Sequence, residues 1–218
     1  MYQSCFRPSV EYTIPQTFLS VKQMTIIQQK SLPLIFCKCG YNRNTHRKIL
    51  FGPSDRGGAG FIPLFVKQGT EMVKHFIKHW RCHNTYTGKL LRAIVSWNQY
   101  QAGVSFSLLE DPTVALEYVQ GNFLKTIRNY LKVIGGNIIL DNPFVFQPLR
   151  RKDKSLMEIA ISSKRFTIKQ LTQINAVRMH LKVFYISEIS NAAGTHIRKS
   201  YLEGNADTFY VPHSTELK

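Results

Sequence analysis

Residues 62–82 read IPLFVKQGTEMVKHFIKHWRC. At about 100° of rotation per residue, the apolar residues of this stretch gather on one side of a helix. They are Val66, Gly69, Val73, Phe76, Ile77 and Trp80. Four cations share the opposite side and are called the ridge below: Lys67, Lys74, Lys78 and Arg81. The stretch therefore predicts an amphipathic helix, and Glu71 is placed to pair with Lys67 or Lys74.

Two further helices have well-defined starts. Ser20 with Gln23, and Thr167 with Gln170, have the spacing of a capping box, in which each side chain binds the other residue's backbone amide. The first helix should bend or end at Pro33, before Gly40. The second should run to about residue 184. Another helix should start at Asn122 and stop at the glycines 135–136, and weaker helical periodicity covers 87–102 and 153–162.

Strand signals are weak, with short candidates only at 137–140 and 208–211. The sequence therefore predicts a mainly α fold, an irregular helical bundle with little or no β structure. Loops are expected at 41–60, 103–120 and 141–148. The best domain division is a basic helical region at 1–140, a C-terminal helical region at 141–202 and a tail at 203–218.

Charge is distributed unevenly along the chain. Lys and Arg number 29 against 13 Asp and Glu, and the first hundred positions hold 14 basic and 3 acidic residues. A compact chain with this surplus favours a polyanionic partner, nucleic acid first, although the charge can also serve solubility alone.

Basic residues recur in other segments that we expect to be helical or looped. A second ridge, opposite the apolar stripe of 122–134, would consist of Lys125, Arg128 and Lys132. Loops and helix ends add Arg47, Lys48, Arg150, Arg151, Lys152 and Lys154. Phosphates spaced along a strand need such distributed cations more than one pocket, so all these residues are candidate nucleic-acid contacts.

Catalytic patterns are missing from the sequence. His75, His79 and Cys82 share one flank of the 62–82 helix and are weak metal-ligand candidates, but the Glu of a His-Glu-x-x-His motif is absent. Glu110 and Asp111 are the only adjacent carboxylates, and the glycine-rich turn at 57–60 lacks the Lys-Ser/Thr of a phosphate loop. We therefore expect no catalytic residue, no cofactor and no metal.

The cysteine and hydropathy patterns bear on compartment. Four irregularly spaced cysteines do not form a disulfide framework, and no stretch has the length of a membrane span or the pattern of a leader peptide. The expectation is a soluble intracellular protein of the nucleus or cytoplasm, without a membrane partner.

Arg178 is the unusual residue of the C-terminal region. It falls between Leu171 and Ile174 on the apolar side of its helix, where an unpartnered guanidinium is costly. A structural ion pair with Glu158 or Glu188 is expected.

Several local patterns together resemble one family segment. They are Pro8-Ser9-Val10-Glu11-Tyr12, Lys38-Cys39-Gly40-Tyr41-Asn42-Arg43-Asn44-Thr45, Phe51-Gly52-Pro53, Lys67-Gln68-Gly69, Ser96-Trp97, Leu156-Met157-Glu158-Ile159-Ala160, Phe166-Thr167, Ile174-Asn175 and Ala193-Gly194-Thr195. Over residues 2–197 the chain resembles the region just downstream of the polymerase domain, or palm, in reverse transcriptases of retroelements from unicellular eukaryotes.

The resemblance implies a thumb-like and connecting helical region that grips template and primer, whether RNA, DNA or a hybrid, beside an upstream polymerase domain. The Tyr-x-Asp-Asp motif of the palm is absent, so polymerase activity does not carry over to this chain. Two alternatives remain open: a helical protein-interaction module that docks on a polymerase or another partner, and a metal-dependent hydrolase using His75, His79 and Cys82.

Overall fold

The structure is a computed structural model that describes residues 17, 19–42, 44–120, 123–141, 146–148, 150–198 and 201. Within these ranges the chain forms eight α-helices and no β-strand, which confirms the mainly helical fold. The helices are α1 (Val21–Lys38), α2 (Arg47–Phe51), α3 (Leu64–Arg81), α4 (Tyr86–Ala102), α5 (Phe123–Ile134), α6 (Leu156–Ser162), α7 (Ile168–His180) and α8 (Ile186–Ile189). None of the helices in these ranges is both long enough and apolar enough to cross a membrane.

Both predicted capping boxes are present. The Ser20 hydroxyl accepts the Gln23 amide at 3.3 Å, and the Ser20 amide donates to the Gln23 side chain at 2.9 Å. Thr167 and Gln170 make the same pair of bonds at 3.3 and 2.9 Å. Each box satisfies backbone donors that the first turn of a helix leaves without partners, so these two starts are fixed by local sequence.

Helix ends follow the prediction less closely. Helix α1 continues through Pro33 and ends at Lys38, before Gly40 with its positive φ of 78°. Helix α5 ends at Ile134, directly before Gly135 with its φ of 66°, as expected. The prediction that α7 runs to residue 184 is wrong, because Lys182 adopts φ of 56° and closes the helix at His180. The Lys182 and Val183 amides then return to the carbonyls of Met179 and Arg178, which is a Schellman ending.

The predicted loop at 41–60 contains α2 and a 3-10 turn, Ser54–Arg56. Amides of Ala59, Gly60 and Phe61 bond the carbonyls of Ile49, Gly52 and Leu50 at 2.9 Å. The glycine-rich segment therefore folds back on α2, and its backbone hydrogen bonds give it a structural role. The strand candidate at 137–140 is not a strand, and the candidate at 208–211 lies outside the described residues.

The chain divides into two compact units. The first comprises Met1–Gly88 and Gly121–Ile134, and the second comprises Lys89–Gln120 and Gly135–Lys218. The division predicted from the sequence differs, since it separates 1–140 from 141–202, and the predicted tail at 203–218 lies outside the described residues.

Helix α3 is the central element of the first unit, since it contacts both α1 and α5. Gly69 lets α5 approach closely: a Cβ at this position would lie 2.1 Å from ring atoms of Tyr130. The Tyr130 ring also packs edge-on against Phe65, and its hydroxyl lies 2.9 Å from the Thr70 hydroxyl. The α3–α5 contact is thus built around one tyrosine ring seated on a glycine.

The second unit is organised around the C-terminus of α4. Its core combines Ala102 and Val104 with Leu108, Tyr118 and Met157. The last carbonyls of a helix lack intrahelical donors, and here four successive carbonyls receive side-chain hydrogen bonds. The four pairs, called the α4 cap below, are Arg178 to Tyr100, Asn175 to Gln101, Tyr118 to Ala102 and Ser155 to Gly103.

Candidate nucleic-acid interface

The basic surplus is concentrated in the first unit. That unit contains 15 Lys and Arg against 3 Asp and Glu, whereas the second contains 14 against 10. Within the described part of the first unit, α3 carries three exposed cations in the eight residues 74–81.

The outer side of α3 agrees with the predicted ridge. Lys74, Lys78 and Arg81 are exposed, and Lys67 is partly buried, with 21% of its side chain accessible. The buried side of α3 is rotated slightly about the helix axis from the predicted apolar side. Gly69, Phe76 and Trp80 are buried as expected, but Met72 and Gln68 join them, while Val66, Val73 and Ile77 are only half-buried.

Glu71 neutralises part of the ridge. Its Oε1 atom lies 3.1 Å from Nζ of Lys67 and 3.1 Å from Nζ of Lys74. The hydrogen bond from Lys74 lowers the pKa of Glu71 from its ordinary value, Lys67 acts in the same direction, and partial burial opposes both. Of the four ridge cations, Lys78 and Arg81, toward the C-terminus of α3, have no carboxylate of the described residues at ion-pair distance.

The second predicted ridge, on α5, is mostly absent. Lys132 is exposed and Lys125 is half-buried, but only 6% of Arg128 is accessible. Helix α5 buries Leu124, Ile127, Tyr130 and Leu131, and the packed side is wide enough to include Arg128. The prediction that Arg128 is a surface phosphate contact is wrong for this reason.

Arg47 and Lys48 are exposed at the start of α2. The His46 ring precedes them and caps the helix, since its Nδ1 accepts the Lys48 amide at 3.2 Å. These two side chains add exposed positive charge to the same unit as the ridge.

The basic run at 150–152 is divided between structure and surface. The Arg150 guanidinium donates to the Ser190 hydroxyl at 3.3 Å and to the Asn191 carbonyl, so it ties two segments of the second unit together. Arg151 and Lys152 are exposed, and Lys152 has φ of 62°. These bonds give Arg150 a structural role, and its assignment as a phosphate contact stays a prediction.

Arg178 is 2% accessible, as its position on the apolar side predicts, but its hydrogen-bond partners among the described residues are not carboxylates. It donates to the carbonyls of Tyr100 and Val183 and to the Asn175 side chain, and it lies over the Tyr100 ring at 5.1 Å. Burial lowers the pKa of Arg178. The predicted ion pair with Glu158 or Glu188 is therefore wrong, because the guanidinium meets the negative end of the α4 dipole instead.

Glu158 and Glu188 have other partners. The Glu158 carboxylate accepts the Ser105 amide and hydroxyl at 2.6 Å, and Glu188 accepts the Phe184 amide at 2.6 Å. Both carboxylates therefore hold backbone segments of the second unit in place.

The candidate metal ligands do not form a site. The His75 and His79 rings lie edge to face at 4.6 Å, and Cys82 is exposed at the end of α3. In the part of the chain that the structure describes, no three His, Cys, Asp or Glu side chains come together as a metal-binding group.

Sequence reasoning did not single out the outer side of α7. Lys169, Thr172, Ala176 and His180 are all exposed there, and α7 contains no Asp or Glu. Spacings of three and four residues between small or polar side chains were the available signal.

Comparison of this chain with models of protein families, with curated proteins and with solved structures found no match.

Proposed function

We propose that this chain is a non-catalytic nucleic-acid-binding segment that grips the backbone of template or primer strands. The observation that carries the proposal is the run of exposed cations at Lys74, Lys78 and Arg81 on a well-packed helix. It also agrees with the resemblance to the post-palm region of retroelement reverse transcriptases.

The geometry of the ridge supports a backbone contact more than a pocket. Lys74 and Arg81 are seven residues apart, which is about 10 Å along the helix axis. Phosphates along one strand are about 3.4 Å apart in rise, so a linear series of cations can meet several of them. The buried side of α3 holds the ridge on a rigid element, because it packs on α1 and α5.

Salt dependence is the direct test. Binding of labelled RNA, DNA and hybrid strands to the full chain should be measured by fluorescence anisotropy over a series of salt concentrations. Each phosphate neutralised should contribute about 0.9 to the slope of log affinity against log salt on duplex DNA, and about 0.7 on single strands.

Substitutions in α3 test which side chains contact phosphate. Lys78→Ala and Arg81→Ala should each lower the slope by about one phosphate contact. Lys30→Ala removes an exposed lysine of α1 and is the charge-matched control. Affinity that does not respond to salt, or ridge variants that behave like Lys30→Ala, would overturn the proposal.

A second candidate function is docking against a protein partner. The observation that favours it is an exposed apolar stripe on α4, where 61% of Leu90, 38% of Ile94 and 55% of Trp97 are accessible. A nuclease-treated pull-down compared between the wild type and Trp97→Ser tests it, and this candidate fails if no captured protein depends on Trp97.

A further inference from the structure

Helices α6 and α7 form a compact pair in the second unit. They contact each other, and the side chains that face inward belong to one core cluster. Met157 of this cluster is fully buried, and Ile161 from α6 and Leu171 and Ile174 from α7 pack against the cluster. Ala160 of α6 is also buried.

The connection between the helices is short and tightly hydrogen-bonded. Helix α6 ends at Ser162, and Lys164 follows in the left-handed region with φ of 54°. The Ser163 amide and hydroxyl bond the carbonyls of Ile159 and Ala160, at 3.0 and 2.8 Å. Thr167 then caps α7, so five residues stop one helix and start the next. A helix, a tight turn with a left-handed residue and a second capped helix are the parts of a helix-turn-helix motif.

The inner side of α7 is anchored. Asn175 and Arg178 hold the carbonyls of Tyr100 and Gln101, at 2.5 to 2.8 Å, as part of the α4 cap. These bonds fix the rotation of α7 about its own axis. The opposite side is therefore presented outward in one orientation.

That outer side consists of Lys169, Thr172, Ala176 and His180, all exposed. The Thr172 hydroxyl donates to the Ile168 carbonyl at 2.9 Å, so this hydroxyl is already engaged by the helix backbone. Lysine suits the acceptor atoms of guanine, and the methyl groups of Thr and Ala suit the thymine methyl. From Lys169 to Ala176 the helix covers about 10 Å, or roughly three base-pair steps.

The charges around this side are also suited to DNA. Lys164 and Arg165 in the turn and Lys182 after α7 are exposed. Between residues 155 and 182 the sequence has one carboxylate, Glu158, and that group is bound to Ser105. Cations flank the outer side of α7, where a helix lying in a groove meets the phosphates.

We propose that α6, the turn and α7 are a sequence-reading element that places α7 in the major groove of duplex DNA. The inference rests on the proposed nucleic-acid binding, but it uses the second unit and adds base readout to backbone contact. B-form DNA is the committed ligand, because the major groove of A-form RNA is too narrow and deep for side chains to read.

The test is selection of preferred sites from a randomised duplex DNA library by the full chain. The wild type should enrich a short motif. Ala176→Glu places a carboxylate in the groove-facing side and should abolish the enrichment, and Lys169→Ala should relax the preference at one position by roughly tenfold. Lys89→Ala removes an exposed lysine of α4 in the same unit and should leave the motif unchanged.

The outcomes separate the two proposals. Salt-dependent binding without an enriched motif, a motif that survives both α7 variants, or preference for RNA or hybrid over duplex DNA overturns the reading element and leaves backbone binding intact. Absence of binding to any nucleic acid overturns both. If Ala176→Glu fails to fold by circular dichroism, Lys169→Ala decides the matter, since its side chain is exposed.

Discussion

Nη2 of Arg178 lies 2.5 Å from the carbonyl oxygen of Tyr100, so a buried cation closes the C-terminus of α4. The negative end of a helix dipole and unbonded carbonyls attract such a group. Arg178 is thereby satisfied without a carboxylate, and it links α7 to α4 inside the second unit.

Arg178→Ala should lower the free energy of unfolding by about 3 kcal/mol or more, because buried carbonyls and Asn175 lose charge-assisted bonds. Arg178→Lys should recover little, since an ammonium cannot reproduce the guanidinium fork. Urea denaturation measures both. Arg165→Ala, at an exposed arginine, is the control and should stay within about 0.5 kcal/mol of the wild type. Equal losses of stability in Arg178→Ala and Arg165→Ala would contradict the capping role of Arg178.

Gly69→Ala should destabilise the chain by about 1–3 kcal/mol, although alanine favours helices, because the new methyl group overlaps the Tyr130 ring. The measurement is a double-mutant cycle with Tyr130→Ala. Once the ring is removed, Gly69→Ala should become neutral or stabilising. A cost that persists without the ring would contradict the proposed close contact.

Lys164→Gly should stabilise the chain by about 1 kcal/mol, since φ of 54° is strained for lysine and free for glycine. The same substitution at Lys89, inside α4, should cost about 1 kcal/mol. Thermal melts of the two variants compare identical chemistry in two backbone conformations. A change in stability of the same sign at Lys164 and Lys89 would contradict the explanation from the φ of Lys164.

Glu71→Gln should strengthen backbone binding, because it releases Lys67 and Lys74 from the carboxylate that holds both. The slope of log affinity against log salt should steepen by about 0.9 for each additional phosphate contact on duplex DNA. Glu110→Gln neutralises an exposed carboxylate of the second unit and serves as the control. An unchanged slope would mean that the ion pairs with Glu71 do not limit phosphate binding by Lys67 and Lys74.

Because of Tyr185, the free energy of unfolding should fall at alkaline pH. Burial raises the pKa of Tyr185, and the carboxylates of Glu158, Asp153 and Glu188 act in the same direction. A raised pKa in the folded state stabilises the protein below the unfolded pKa, and this contribution is lost as pH rises above about 10. Free energies of unfolding at about pH 9 to 11 should fall less steeply for Tyr185→Phe than for the wild type. That variant also loses the hydrogen bond to the Phe146 carbonyl, so the slope is compared and not the absolute value.

Local chemistry made part of this structure predictable. The capping boxes at Ser20 and Thr167 and the glycine after α5 act within a few residues, and each lies where the sequence indicates. The end of α7 was missed because it depends on Lys182 adopting a conformation that usually favours glycine. No residue pattern marks that choice.

Long-range contacts account for the other differences. Periodicity placed Arg178 on the buried side of α7, but two of its partner carbonyls, those of Tyr100 and Gln101, lie in α4, far away in the sequence. Arg128 was assigned to the surface because the width of the α5 contact depends on a neighbouring helix. Which cations are exposed is therefore a property of packing, which composition alone does not contain.

The four donors of the α4 cap have a consequence for synthesis on the ribosome. Tyr118, Ser155, Asn175 and Arg178 are all translated after α4, so the four carbonyls gain these side-chain donors one after another, and the cap is complete only when the chain past Arg178 has emerged. The first unit likewise waits for α5, which is translated after the segment Lys89–Gln120 of the second. Neither unit can be completed before the other has begun, and stalled nascent chains that end between α5 and α7 should be readily cut by protease within the second unit.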